Sequence, residues 1–358
     1  MMKRLLALLR NELVMTRTTL SIHLLGFFQP ALMFSLMAFV LVMPTFELYV
    51  ARSSLPLGES LVEAMVQVNS PIGDAYIEPL LVEWQQGDDI PGGQVVELAI
   101  SDGMPTAVQH FDLIDSNIVK NYRNRLTSAG LILWEEELGR AAIQIEERPL
   151  LPVDVPYNVY FGMGMLPLAA WIGASFVAAF LSAQEFEFKT IQEYRLAPAH
   201  WGLVLGARLL RLSLTGLLSS MVLMITLYVF EQAWPSPLGL ALGMLVLMGL
   251  IGACVGTSAA LVLKQTLPSF VIALASAFFT WIMGGAFGLP AGFGGVYEAV
   301  SRWVPNSYAV RALFPLYYPI EPSHPNSYLI LFVFATAAVI ATILIYRKSV
   351  LSVEEVRQ

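Results

Sequence analysis

Residues Gln232–Leu263 read QAWPSPLGLALGMLVLMGLIGACVGTSAALVL, without one Asp, Glu, Lys or Arg. A helix crosses the hydrocarbon core of a bilayer with about 20 apolar residues, and this run is longer. Leu212–Phe230 and Gln265–Tyr297 flank it and are equally free of charge. Beyond them lie Val155–Gln184, Pro322–Tyr346 and, near the start, Thr18–Phe46. A large soluble protein also buries apolar helices, but not six of this length. The chain is 56% hydrophobic and 13% charged, with mean hydropathy +0.66, whereas a soluble domain carries about 25% charged residues. The expected fold class is therefore membrane all-α, with six transmembrane helices. The first run is about twice the length of a secretory apolar core, and Arg10, Glu12 and Arg17 interrupt its approach. It reads as a retained anchor.

Basic residues orient the spans, because they favour the cytoplasmic side. With both termini inside, the cytoplasmic segments hold 12 basic and 6 acidic residues. The outer segments hold the remaining 8 basic and 21 acidic ones, and the sum is the formal net charge of −7. The single cysteine, Cys254, excludes an intrachain disulfide, and four scattered histidines give no zinc-type spacing.

The domain boundaries follow from this layout. Residues 1–17 put Leu5, Leu9 and Leu13 on one face and Lys3, Arg10 and Arg17 on another. That pattern predicts an amphipathic interfacial helix; a plain positive flank for the first span is the simpler reading. Transmembrane helix 1 covers 18–46. Residues 47–154 form the one long hydrophilic segment, with 18 acidic and 6 basic residues, and are read as a small α+β extracytoplasmic domain between helices 1 and 2. Leu80–Trp84, Val95–Ile100 and Thr106–Phe111 read as strands, Asp115–Arg140 as a helix, and Ala141–Ile145 as a returning strand. Residues 155–347 are a five-helix transmembrane region with a cytoplasmic loop at 184–211, and 348–358 a cytoplasmic tail. The run Gly284–Gly295 (GGAFGLPAGFGG) predicts a broken or re-entrant helix near the outer face.

Function is sought in what the spans lack and in what the loop carries. No GxxxxGK[ST] occurs, so the chain has no phosphate-binding loop of its own. No charged residue falls near the middle of any of the expected spans, which disfavours an ion-coupled transporter. The loop, Ala183–Leu210, reads AQEFEFKTIQEYRLAPAHWGLVLGARLL. Glu185, Glu187, Thr190 and Glu193 fall on a short helix continuing from the second span, and Pro198 ends it.

The spacing Glu185-x-Glu187-x-x-Thr190, then Pro198 and LGARLL, resembles the permease subunits of type 2 ATP-binding cassette (ABC) exporters. That family shows an E-x-E-x-G-T stretch, then L-x-x-x-P and an LGK-like run; here Lys189 stands at the usual glycine and Arg208 follows Ala207 in place of Gly-Lys. Residues Trp303–Leu313, WVPNSYAVRAL, are similar to the family's P-x-x-Y-x-x-x-A-L region. The layout of the whole chain also fits.

The resemblance implies a permease in a bacterial cytoplasmic (inner) membrane, paired with a second copy or a paralogous permease. It implies a docked cytoplasmic ATPase subunit that binds ATP and Mg, with no cofactor in this chain and no nucleic acid. Glu185, Glu187, Thr190, Glu193 and Pro198 become the ATPase-coupling residues. Reversing the charge at Glu185 and Glu187 is then expected to release or uncouple the ATPase and leave the permease folded. Phe278, Phe279 and Trp281 are candidates for an apolar pathway, although simple core or lipid-facing packing is the stronger reading of each. The alternative is a non-transport membrane assembly or sensor protein whose external domain binds a ligand or partner.

Overall fold

The computed structural model describes residues 20–41, 46–52, 57–68, 77–90, 94–101, 104–111, 116–138, 157–191, 200–230, 233–285, 295–318 and 326–351. In chain order the elements are α1 (Leu20–Leu41), β1 (Phe46–Ala51), α2 (Leu57–Gln67), β2 (Ile77–Val82), β3 (Gln94–Ser101), β4 (Met104–Phe111) and α3 (Ser116–Leu138). There follow α4 (Tyr157–Glu187), α5 (Trp201–Val229), α6 (Leu238–Leu263), α7 (Thr266–Met283), α8 (Gly295–Ser301), α9 (Pro305–Tyr317) and α10 (Ser327–Tyr346). A π-turn, Arg347–Leu351, extends α10. The elements form two compact units, Val42–Asp154 and the remainder.

In the larger unit α1, α4, α5, α6, α7 and α10 are long and apolar enough to cross a membrane. Lipid offers no hydrophobic force between helices, so close packing and interhelical hydrogen bonds hold them. α4 is the hub: 89% of its span is buried, against 17% for α10. Glycines let α5 and α6 approach it. A Cβ at Gly252 would lie 2.8 Å from the Trp171 carbonyl oxygen, and one at Gly216 would run into that of Ala170. Three serines of α5 then reach three different helices. Ser219 Oγ donates to Gly26 O at 2.8 Å, Ser220 Oγ to Leu166 O at 3.0 Å, and Ser213 Oγ to Val246 O at 2.7 Å. Such bonds contribute roughly 0.6–2 kcal/mol each in a membrane bundle.

α7 stops at Met283, where Gly284 and Gly285 turn the chain, Gly285 with φ 89°. α9 has 13 residues, about 20 Å of helix, too short for the roughly 30 Å core. Yet Pro305, Asn306, Ala309, Ala312 and Leu313 are buried in the bundle. Of the glycine run, residues 286–294 lie outside the described residues, and Gly284 and Gly285 follow the end of α7. Tyr160 Oη braces the turn by donating to Gly285 O at 2.9 Å.

The smaller unit has a four-stranded sheet in the order β2-β1-β3-β4. β1 runs parallel to β2 and β3, and β3–β4 is an antiparallel hairpin. Alternate residues Leu48 and Val50 point into a core with Met65, Ile77, Val96 and Ala129, the two-residue period of a half-covered strand. α2 and α3 supply the helical side of that core.

Several boundaries differ from the sequence reading. Phe46 belongs to strand β1 rather than to the first span, which ends at Leu41. α2 was not foreseen, and the strand read at Leu80–Trp84 is Ile77–Val82. The third span does not begin at Leu212: α5 starts at Trp201 and encloses Arg208 and Arg211. The fifth ends at Met283, just before the glycine run that was read as following it. The amphipathic helix at 1–17, the strand at Ala141–Ile145 and the tail beyond 351 lie outside the described residues.

Candidate functional site

The candidate site is the end of the bundle where α4 stops. Helical rotation of about 100° per residue turns Glu185, Phe186 and Glu187 toward three different neighbours. Glu185 faces α5. Arg208, on the third turn of α5, donates through Nη1 to Glu185 Oε2 at 2.7 Å and through Nη2 to Oε1. Each residue is only 6% exposed. Buried charges persist in a membrane helix when paired in this way, and the guanidinium fork matches a carboxylate in two places. Arg211, one turn further on, is buried as well.

Glu187 points about 200° away from Glu185 and meets the start of α7. It accepts hydrogen bonds from the Thr266 backbone N–H and from Thr266 Oγ1, both at 2.7 Å. The N-cap residue of α7, Gln265, makes no side-chain cap, so Glu187 serves that role from another helix. A carboxylate suits the positive end of the helix dipole. Between them, the Phe186 ring lies 5.8 Å below Lys264 Nζ, which ends α6. Trp201 of α5 stacks on Tyr346 of α10 with centroids 6.1 Å apart. His200 Nδ1 caps α5 by accepting from Gly202 N at 3.1 Å. The ends of α4, α5, α6, α7 and α10 are tied into one polar and aromatic clasp.

The chain leaves this clasp through Phe188, which is 68% exposed, and Lys189, whose φ of 60° is left-handed. Thr190 is half-buried in the following turn. Glu193 and Pro198 lie outside the described residues. Of the sequence-derived site residues, the fold thus places Glu185 inside, Glu187 against the start of a neighbouring helix and Thr190 just beyond.

Arg208 and Thr266 were missed. Arg208 was counted as a surface cation, yet Arg208, Arg211, Thr215 and Ser219 recur at helical spacing as one buried polar stripe. That periodicity was the available signal. The expectation that charge reversal at Glu185 leaves the fold intact is corrected by the same geometry, since a lysine there would face Arg208 in a buried site.

The three pathway residues do not share a face. Trp281 is 4% exposed and packs edge to face on Phe161 at 5.7 Å and Phe278 at 6.1 Å, whereas Phe279 points outward at 52% exposure. Among the described residues no group of three His, Cys, Asp or Glu side chains is placed to hold a metal. Comparison with protein-family models gives no match, and comparison with curated proteins gives none either. Its six apolar helices make the chain a multi-pass membrane protein.

Proposed function

We propose that this chain is the membrane-spanning permease subunit of a type 2 ABC exporter, driven by a separate ATPase. One observation carries this reading. At Lys189, where the resembled family has glycine, the backbone is left-handed with φ 60°. Glycine adopts that region without cost and other residues do not. The local geometry therefore asks for the family's residue although the sequence departs from it.

The clasp supports the mechanical half of the reading. A force applied beyond Phe188 reaches α5 through Glu185–Arg208 and α7 through Glu187–Thr266. An ATPase closing on ATP and Mg tilts these helices together, and the pathway opens outward at the interface with a second permease. The basic clasp end then faces the cytoplasm of a bacterial cell with both termini, and the α+β unit lies outside.

The test is purification of the full chain from its native membrane in mild detergent. A stoichiometric soluble subunit with ATPase activity is expected. A preparation without one overturns the assignment and leaves the sensor or assembly reading.

A further inference from the structure

We propose that two copies of this chain pair through α3, which lies antiparallel against the same helix of the other copy. α3 has 23 residues and six charges. Its residues Leu126, Ala129, Ile132 and Leu133 turn inward and join the core with Leu48 and Val96. At about 100° per residue, the opposite side carries Thr127, Leu131 and Trp134. All three are exposed, Leu131 by 39% and Trp134 by 51%. The same three-and-four spacing, continued toward the start of α3, reaches positions 123 and 120, arginine and lysine in the sequence. One ridge of the helix thus runs from two cationic positions to a leucine and a tryptophan. Gln67 Nε2 of α2 donates to Glu136 Oε1 at 3.3 Å, which ties the last turn of α3 to the smaller unit.

The charges of α3 are set against its own dipole. Lys120, Arg123 and Arg125 lie in its first half, and Glu135, Glu136 and Glu137 in its last turn, which holds no basic residue. Carboxylates at the C-terminal end of a helix meet its negative pole and are disfavoured there. An antiparallel copy reverses this. It brings a positive pole and cationic positions level with the glutamates, and does so twice, because a two-fold contact is self-complementary. Setting positions 120 and 123 level with 137 and 135 puts the two-fold axis near residue 129. Thr127 of each copy then lies level with Leu131 of the other. The exposed Trp134 supplies the kind of aromatic side chain that anchors such interfaces. An anionic lipid surface suits the ridge less, because its apolar end closes on three glutamates. One helix pair is a small interface, but two copies held in one membrane meet at a raised effective concentration. The contact needs two copies and no ATPase, so it stands or falls apart from the export reading.

The experiment is disulfide trapping in native membranes. Two differently tagged full chains, both Cys254→Ser, are co-expressed, one with Thr127→Cys and the other with Leu131→Cys. Mild oxidation is expected to give a mixed dimer, whereas Glu78→Cys in both chains, at an exposed position of β2, gives none. Lys120→Glu/Arg123→Glu in both chains, or Glu135→Lys/Glu137→Lys in both, is expected to lower the mixed-dimer yield about tenfold through like-charge repulsion. One chain with the first pair of changes and the other with the second is expected to restore the yield, which misfolded chains would not do. Absence of the mixed dimer, a yield indifferent to the reversals, or no recovery when the two reversals are combined overturns the proposal. So does a disulfide from position 131 to a different polypeptide in place of the mixed dimer.

Discussion

Arg208 and Glu185 form a two-point ion pair, Nη1 to Oε2 at 2.7 Å and Nη2 to Oε1, in which neither residue is more than 6% exposed. The pair joins the last turn of α4 to the third turn of α5 at the depth where both helices are still packed. Removing one partner strands the other charge, which costs about 3–5 kcal/mol in a protein interior. Glu185→Gln and Arg208→Gln are each expected to lower the thermal unfolding midpoint of the purified chain. The double variant Glu185→Leu/Arg208→Met is expected to recover most of the loss. Equal midpoints for all four proteins would show that the pair is solvated.

Glu187 and Thr266 act as one unit, since the carboxylate takes both of its bonds from that threonine. In the proposed complex, Glu187→Ala and the Glu187→Ala/Thr266→Val double variant are expected to reduce ATPase activity to the same extent, and Thr266→Val alone, which keeps the backbone N–H bond, to reduce it less. Bonded neighbours give such non-additive effects and independent sites do not. A double variant whose loss is the sum of the two singles would separate the residues.

Lys189 pays for its left-handed backbone, so Lys189→Gly is expected to raise stability by up to about 1–2 kcal/mol. Lys189→Val, a β-branched residue in the same conformation, is expected to lower it. Denaturation of the two variants beside the parent chain measures both shifts. A destabilised glycine variant would mean that the lysine side chain, not the turn, fixes this position.

Two glycines of neighbouring helices predict opposite outcomes. A Cβ at Gly256 would collide with the Ser175 carbonyl, whereas one at Gly206 meets nothing within 4 Å. Gly256→Leu is expected to separate α4 from α6 and abolish recovery of folded chain. Gly206→Ala is expected to be neutral or to stabilise α5 by about 0.5–1 kcal/mol. Detergent-resistant monodisperse yield distinguishes them, and similar yields would contradict the packing.

The six spans were legible because a bilayer tolerates few charges, and that shows as runs such as Gln232–Leu263. Their ends were less legible. Phe46 closes the first charge-free run and so read as the end of a span, and pairing of Phe46–Ala51 with β2 and β3 makes it a strand. α5 begins before Arg208 because a carboxylate 23 positions earlier neutralises it, a pairing that depends on how two helices cross. The Glu-x-Glu spacing was visible, but not that its two members would face different helices. Trp281 and Phe279, two residues apart, were grouped by composition and separated by helical rotation.

Site-specific photocrosslinking from position 188, where the chain leaves the clasp, tests the proposed coupling most directly. With a photoreactive residue replacing Phe188 in the native membrane, illumination is expected to join this chain to a soluble subunit carrying a phosphate-binding loop, with ATP changing the yield. Adducts confined to lipid or to the chain itself would contradict the view that an external motor pulls here.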